Sequence, residues 1–155
     1  MEKLFKRLQK ISVSSLADVD KEIRVVDGSI RRYSGLGNMV GVARVVSCHN
    51  DFLKVMRSLE TSLAGDVLVV AARTSDRAVL GSLFCTEALR RGLAGVIVDG
   101  PIRDVSSIEQ LELPVYARYS CPCAGTTRDL SATIEPVLIG ETKVFSGDIL
   151  VGDKD

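Results

Sequence analysis

The sequence carries no excess of either charge, because twenty Lys and Arg residues are matched by twenty Asp and Glu. Binding a phosphate backbone without sequence preference draws its affinity from many positive contacts, so a direct nucleic-acid ligand is not expected. Long apolar runs are also missing. Residues 67–72 and 96–98 fall far short of the roughly 18 that a membrane helix needs and read as buried strands. The opening Met1 to Gln9 is basic and helical in character but lacks the apolar stretch of about 7 to 15 residues of a secretory signal, so the chain is expected in the cytoplasm. There is one histidine, His49, and no serine or cysteine sits in a recognisable nucleophile context, which leaves a Ser-His-Asp or Cys-His hydrolase unsupported.

Cysteines are few. Cys121-Pro122-Cys123 with Cys48-His49 could supply four soft ligands, but their spacing matches no zinc pattern, and Cys85 lies on the apolar side of an expected helix as a small core residue. The glycine tract Gly35-Leu36-Gly37-Asn38-Met39-Val40-Gly41 precedes a strand. A dinucleotide loop follows a strand and opens a helix, so the tract reads as a turn, and a methyltransferase, which needs such a loop, is not indicated. No repeat, linker or low-complexity tract appears, and 155 residues suit one domain spanning 1–155.

What is present alternates. One or two short helices are expected within about residues 1–20. A strand at 40–46 follows turns at Asp27-Gly28-Ser29 and Ser34 to Asn38, and Asn50 is placed to cap a helix through Leu63. Residues 67–72 are apolar on both faces, as in a strand covered on both sides. A helix from Ser82 should end at Arg90-Arg91 and Gly92, basic groups at the negative end of the dipole followed by a left-handed cap. A strand at 95–98, a short helix near 105–111, a strand at 114–118 and β-rich sequence over 132–151 complete an α/β domain whose central sheet is mixed.

Two segments place polar groups at the ends of buried elements, where α/β proteins put their sites. Leu80-Gly81-Ser82-Leu83-Phe84 starts a helix, so its unpaired amides could hold a carboxylate; equally, Gly81 and Ser82 could simply begin the helix. Gly100-Pro101-Ile102-Arg103-Asp104 offers a guanidinium that can grip a carboxylate and a hard oxygen ligand for a divalent cation. Equally, Asp104 could cap the next helix and Arg103 could be a solvated surface residue.

These segments resemble a known signature. Ala78-Val79-Leu80-Gly81-Ser82-Leu83, then Arg91 to Val98 and Asp99-Gly100-Pro101-Ile102-Arg103-Asp104, are similar to the family that holds the regulator of RNase E activity A (RraA) and the metal-dependent 4-hydroxy-4-methyl-2-oxoglutarate aldolases. Ser15-Leu16-Ala17-Asp18, Asp27 to Arg31, Ala64 to Val70, Pro114 to Arg118 and Ser146 to Asp153 resemble flanking parts of the same pattern. The resemblance implies a swivelling β/β/α-type domain with helices flanking a mixed sheet, assembled as a ring-shaped trimer or a hexamer with sites between subunits. It implies that Gly81, Ser82, Leu83 and Phe84 form a substrate-binding loop, that Arg103 holds a small 2-oxo acid, and that Asp104 ligates Mg²⁺ or Mn²⁺. The implied chemistry is retro-aldol cleavage or oxaloacetate decarboxylation through a pyruvate enolate.

The alternative implied by the same resemblance is a non-catalytic regulator that binds and inhibits a ribonuclease or helicase. Ser82 and Ser107 stand where aldolase members of the pattern carry acidic or amide groups, and Ala71-Ala72 where a strand commonly ends in Asp. The pattern also continues past the position of Asp155 with a further strand and often a helix.

Overall fold

The computed structural model describes residues 1–154. Two helices open the chain, α1 (Glu2–Leu8) and α2 (Val13–Val19), and they separate where the Ser12 hydroxyl accepts from the Ser15 amide at 3.2 Å and caps α2. Then come β1 (Arg31–Ser34), β2 (Met39–Ser47), α3 (Leu53–Thr61), β3 (Asp66–Ala71), α4 (Ser82–Arg90), β4 (Gly95–Ile102), α5 (Val105–Ile108) and β5 (Val115–Ser120). The strands β6 (Val137–Ile139), β7 (Thr142–Val144) and β8 (Ile149–Gly152) follow. Six strands form one curled mixed sheet in the order β1-β5-β4-β3-β2-β8; the four inner strands are parallel and both edges antiparallel. A separate hairpin joins β6 to β7.

Alternation along the buried strands sends side chains to two cores. Leu68, Val70, Val96 and Val98 pack with Val55 and Leu59 of α3, Cys85 and Ala88 of α4, and Ile108 of α5. Val67, Val69 and Ile97 face the other way, against Val137, Ile139 and Val144 of the hairpin. Each of these fully buried aliphatic groups contributes about 1.5–3 kcal/mol relative to exposure, which is why β3 tolerates no polar position along its middle. No helix among the described residues is long and apolar enough to cross a membrane.

The expected end of α4 is realised in detail. Gly92 takes φ +75°, its amide donates to Leu89 at 3.0 Å and the Leu93 amide to Ala88 at 3.0 Å, the paired bonds of a Schellman cap. Glu87 meanwhile accepts from both Arg90 and Arg91, which hold its carboxyl down to about 2.

Three expectations need correction. Asn50 does not cap α3: its own φ is +51° and its side-chain oxygen accepts instead from the amides of Asp76 and Arg77 at 2.9 and 3.0 Å, while Asp51 takes the Leu53 amide. Short amide and carboxylate side chains compete for whatever backbone is nearest, and here a neighbouring loop is nearer. The helix therefore starts at Leu53 and stops at Thr61, leaving Leu63 outside it. The β-rich reading of 132–151 holds only from Val137 onward. Finally, β4 continues beyond Val98 to Ile102, through Pro101, because its pairing with β5 shifts register between Val98 and Pro101 and so demands no ladder amide there.

Asp99, in that extension, is fully buried. A bare buried carboxylate would cost several kcal/mol; Asp99 is instead met by Arg118 Nε at 2.5 Å and by the Gly140 amide at 2.6 Å. Arg118 also donates to Ser29 and lies 3.4 Å from Asp27, so the first turn, two central strands and the hairpin share one ionic cluster.

The Ser29 amide and hydroxyl, with Arg118 beside them, lower the Asp27 carboxyl from 3.8 to about 2. A depressed carboxyl favours the fold fully above its unfolded value, and the contribution is lost as pH falls through the folded one. Asp27→Asn should therefore lose less stability than the parent between pH about 4 and about 2, measured by urea unfolding across a pH series; an unchanged slope would refute the assignment.

Candidate active site

A short ladder brings the two chemistry-bearing segments side by side. Leu80 bridges Ile102, the Val79 amide donates to Pro101 at 3.2 Å, and the Arg103 amide donates to Leu80 at 3.0 Å. This lays the entry to α4 along the exit from β4. Gly81 is pressed between them: a Cβ there would stand 2.7 Å from Asp104 Oδ2 and 3.1 Å from Arg103 Cγ. Its backbone is extended, so the requirement is for space and not for handedness.

Asp104 precedes α5 with a left-handed backbone, φ +61°, a strained setting costing on the order of 1 kcal/mol. Its side chain does not cap α5. Oδ2 instead accepts from the Ser82 amide and the Ser82 hydroxyl, both at 3.2 Å, and so caps α4 from across the fold at the positive end of that helix. Arg103 Nε lies 3.5 Å from the same oxygen, and the two side chains are 41% and 37% exposed, open enough to meet a ligand.

The pocket beside this pair encloses about 40 Å³. That is far below the roughly 300–1,000 Å³ of a pocket that encloses its ligand, so a ligand bound here would extend out through the mouth. Leu83 stands at that mouth, 79% exposed. Phe84 turns inward and meets Phe52 edge-on with ring centroids 5.6 Å apart. The expected loop at Gly81 to Phe84 is thus the first turn of α4, preceded by Gly81 as its cap position. Of its amides, that of Ser82 is already given to the protein's own carboxylate.

Behind the pocket, burial and then the Asp104 charge push the Cys85 thiol up to about 12, leaving no thiolate to act as nucleophile. His49 bonds Thr74 at 3.0 Å and does not line the pocket. Phe52 and Ala124 complete the wall and were not singled out by sequence. Phe52 reads as one more apolar helix residue, and no spacing signal announces that the irregular segment after Cys123 returns to pair with Ala78.

A divalent cation can be tested against this donor set. Among the described residues no three His, Cys, Asp or Glu groups converge as a metal site. Asp104 is the one carboxylate among the described residues that line the pocket, and a guanidinium already neighbours it. That set fits a hard cation such as Mg²⁺, which keeps several waters and takes one or two carboxylates plus substrate oxygens; it does not fit a closed all-protein cage.

A profile of the RraA-like family, described as Aldolase/RraA, matches residues 13–155, and the chain belongs to that family. A protein of Ectopseudomonas mendocina with the provisional name 4-hydroxy-4-methyl-2-oxoglutarate aldolase is 32% identical over 134 residues, covering 86% of this chain and 83% of its own. Among solved structures, the RNA-processing inhibitor RraA from Thermus thermophilis superposes with a TM-score of 0.86 at 25% identity, over 94% of this chain and 90% of that one. A Geobacillus kaustophilus protein titled S-adenosylmethionine: 2-dimethylmenaquinone methyltransferase gives 0.86 at 30% identity, over 92% and 90%. Here the glycines at 35 and 37 lie in the turn from β1 to β2, with no helix following.

The capping geometry makes a direct prediction. Asp104→Ala should lower stability by about 0.5–2 kcal/mol, the usual cost of a lost helix cap, whereas Asp104→Asn keeps an accepting oxygen and should lose only a fraction of that. Thermal unfolding of the two variants decides it; equal losses would show that the contact with Ser82 does not cap α4.

Proposed function

We propose that this chain is a lyase for small 2-oxo acids, working with a divalent cation at the Arg103–Asp104 pair. The observation that carries the reading is the convergence of Arg103 and Asp104 with Gly81 and Ser82 on one open pocket. Aldolase naming among relatives of the same family agrees with it.

Arg103 binds the carboxylate of the 2-oxo acid through parallel N–H bonds and orients the keto group toward Asp104. Asp104 would hold the cation, which when bound would supply a Lewis acid for the keto oxygen. Ser82, through its hydroxyl and amide, keeps the Asp104 carboxylate turned to the pocket.

Proton handling separates the two possible reactions. Retro-aldol cleavage needs a base for the 4-hydroxyl proton, and Asp104, the one carboxylate lining the pocket among the described residues, is already assigned to the cation. Decarboxylation of oxaloacetate needs no such base, since loss of carbon dioxide itself generates the enolate. The chain is therefore expected to decarboxylate oxaloacetate more readily than it cleaves 4-hydroxy-2-oxo acids. Pyruvate release should require added Mg²⁺ or Mn²⁺, vanish in Asp104→Asn, and fall about 10- to 100-fold in kcat/KM in Arg103→Lys, the equivalent of one lost charge-assisted bond. Absence of turnover above buffer for both substrate types would end the lyase reading.

The small enclosed volume and Ser82 in place of an acid favour a second reading, a regulator that masks a ribonuclease or helicase. Stoichiometric capture of such an enzyme by a chain inactive toward 2-oxo acids would select it. Either reading includes assembly into a ring-shaped trimer, supported by a site that is open on one side; light scattering should give three chain masses, and a clean monomer would contradict it.

A further inference from the structure

The lyase reading leaves unused a pair of thiols at the edge of the pocket. Cys121 is partly exposed and Cys123 exposed, whereas Cys48 and Cys85 are buried with thiols pushed up to about 12. Access alone therefore divides the four cysteines into an inert and a reactive pair.

Local geometry favours joining the reactive two. Residues two apart are separated by at most about 7 Å in extended chain, and the backbone bends at Pro122 and Cys123, which shortens that distance toward the roughly 4.4–6.8 Å that a disulfide requires. The Cys121 sulfur already curls back, 3.9 Å from the Cys123 carbonyl and 3.3 Å from that of Asp76.

The segment is also anchored to the pocket at both ends. The Cys121 amide donates to Ile102, the residue before Arg103, at 2.8 Å; the Ala78 amide donates to Cys123 at 2.8 Å; and the Gly125 amide donates back to Ala78 at 3.0 Å. Ala78 and Ala124 line the cavity. Any contraction of the 121–123 tripeptide must strain these bonds.

We propose that Cys121 and Cys123 form a peroxide-oxidisable dithiol whose closure into an intrachain disulfide displaces the pocket wall at Ala78 and Ala124. The exposed Cys123 thiolate attacks a hydroperoxide: the S–O bond forms, the O–O bond breaks, and the leaving hydroxide or alkoxide takes a proton from solvent to give water or alcohol and a sulfenic acid. The Cys121 sulfur then attacks the Cys123 sulfur; the S–S bond forms, the S–O bond breaks, and the hydroxyl leaves as water with the Cys121 proton. Two electrons pass from the thiols to the peroxide, and an external dithiol reverses the step by exchange.

The test uses the whole reduced protein exposed in its native state to a small excess of hydrogen peroxide, then alkylated and digested with trypsin. Cleavage after Arg118 and Arg128 yields one peptide, Tyr119 to Arg128, that holds both cysteines. It should become lighter by two hydrogens, refuse the alkylating reagent, and recover both properties with dithiothreitol. Oxygen addition to Cys123 without linkage, linkage to another chain, or an unmodified peptide would overturn the proposal.

The coupling to the pocket is read separately by amide hydrogen exchange. The Ala78 amide should exchange about tenfold faster after oxidation, as for loss of one backbone hydrogen bond, and Cys123→Ser should show neither the mass change nor the acceleration. Equal exchange in both redox forms would remove the coupling. Should Cys123→Ser fold poorly, the oxidised and reduced parent protein supply the same comparison. None of these readouts requires turnover, so they stand apart from the fate of the lyase reading.

Discussion

The carboxylate of Asp104, swung by a left-handed backbone onto the start of α4, fixes how the strand and helix on either side of the pocket meet. Beside that bond, the exit of β4 and the entry of α4 are joined by the Leu80–Ile102 bridge, its flanking amide bonds and the packing of Cys85 against the same core as Ile102. The same contact sets the electrostatics: one oxygen is shared by a hydroxyl, an amide and a nearby guanidinium, so the negative charge is partly spoken for before any ligand arrives. A cation held at Asp104, as proposed, would depend on oxygens brought by substrate and water, and its retention would be coupled to substrate occupancy.

Strand β4 supplies both polar centres of the molecule. By alternation along it, Asp99 faces Arg118 on the hairpin side and Ile102 the helical core, and the chain leaves the strand at Arg103. A buried ion pair on one face and an open Arg–Asp pair beyond the strand's end are thus both held by this one strand. Gly100 lets the strand pass close to the chain leaving β3, because a Cβ there would lie 2.6 Å from the Ala72 carbonyl oxygen.

Much of this was legible in the residues. Apolar runs located β2, β3 and β4, and Arg90-Arg91-Gly92 announced the end of α4. The segments around Gly81 and Arg103 could be named as polar groups at element ends before their proximity was known. What could not be read were contacts made across long sequence distances. Asp104 looked like a local cap for α5 and caps α4 instead, Asn50 looked like a local cap for α3 and serves a loop, and Ala124 reaches the pocket from a stretch with no periodicity. Local propensity says that a short polar side chain will bind a backbone amide; only the tertiary arrangement says which one.

The buried Asp99 draws its partners from widely spaced parts of the chain: Arg118, with Ser29 and Asp27 behind it, and the amide of Gly140. During vectorial synthesis the first of these partners emerges early and the last only after the central sheet has been made. A nascent chain paused between β5 and the hairpin therefore has a charged strand end still short of one hydrogen bond and open to water. Completion of the hydrophobic face beneath it therefore waits for the arrival of β6 and β7.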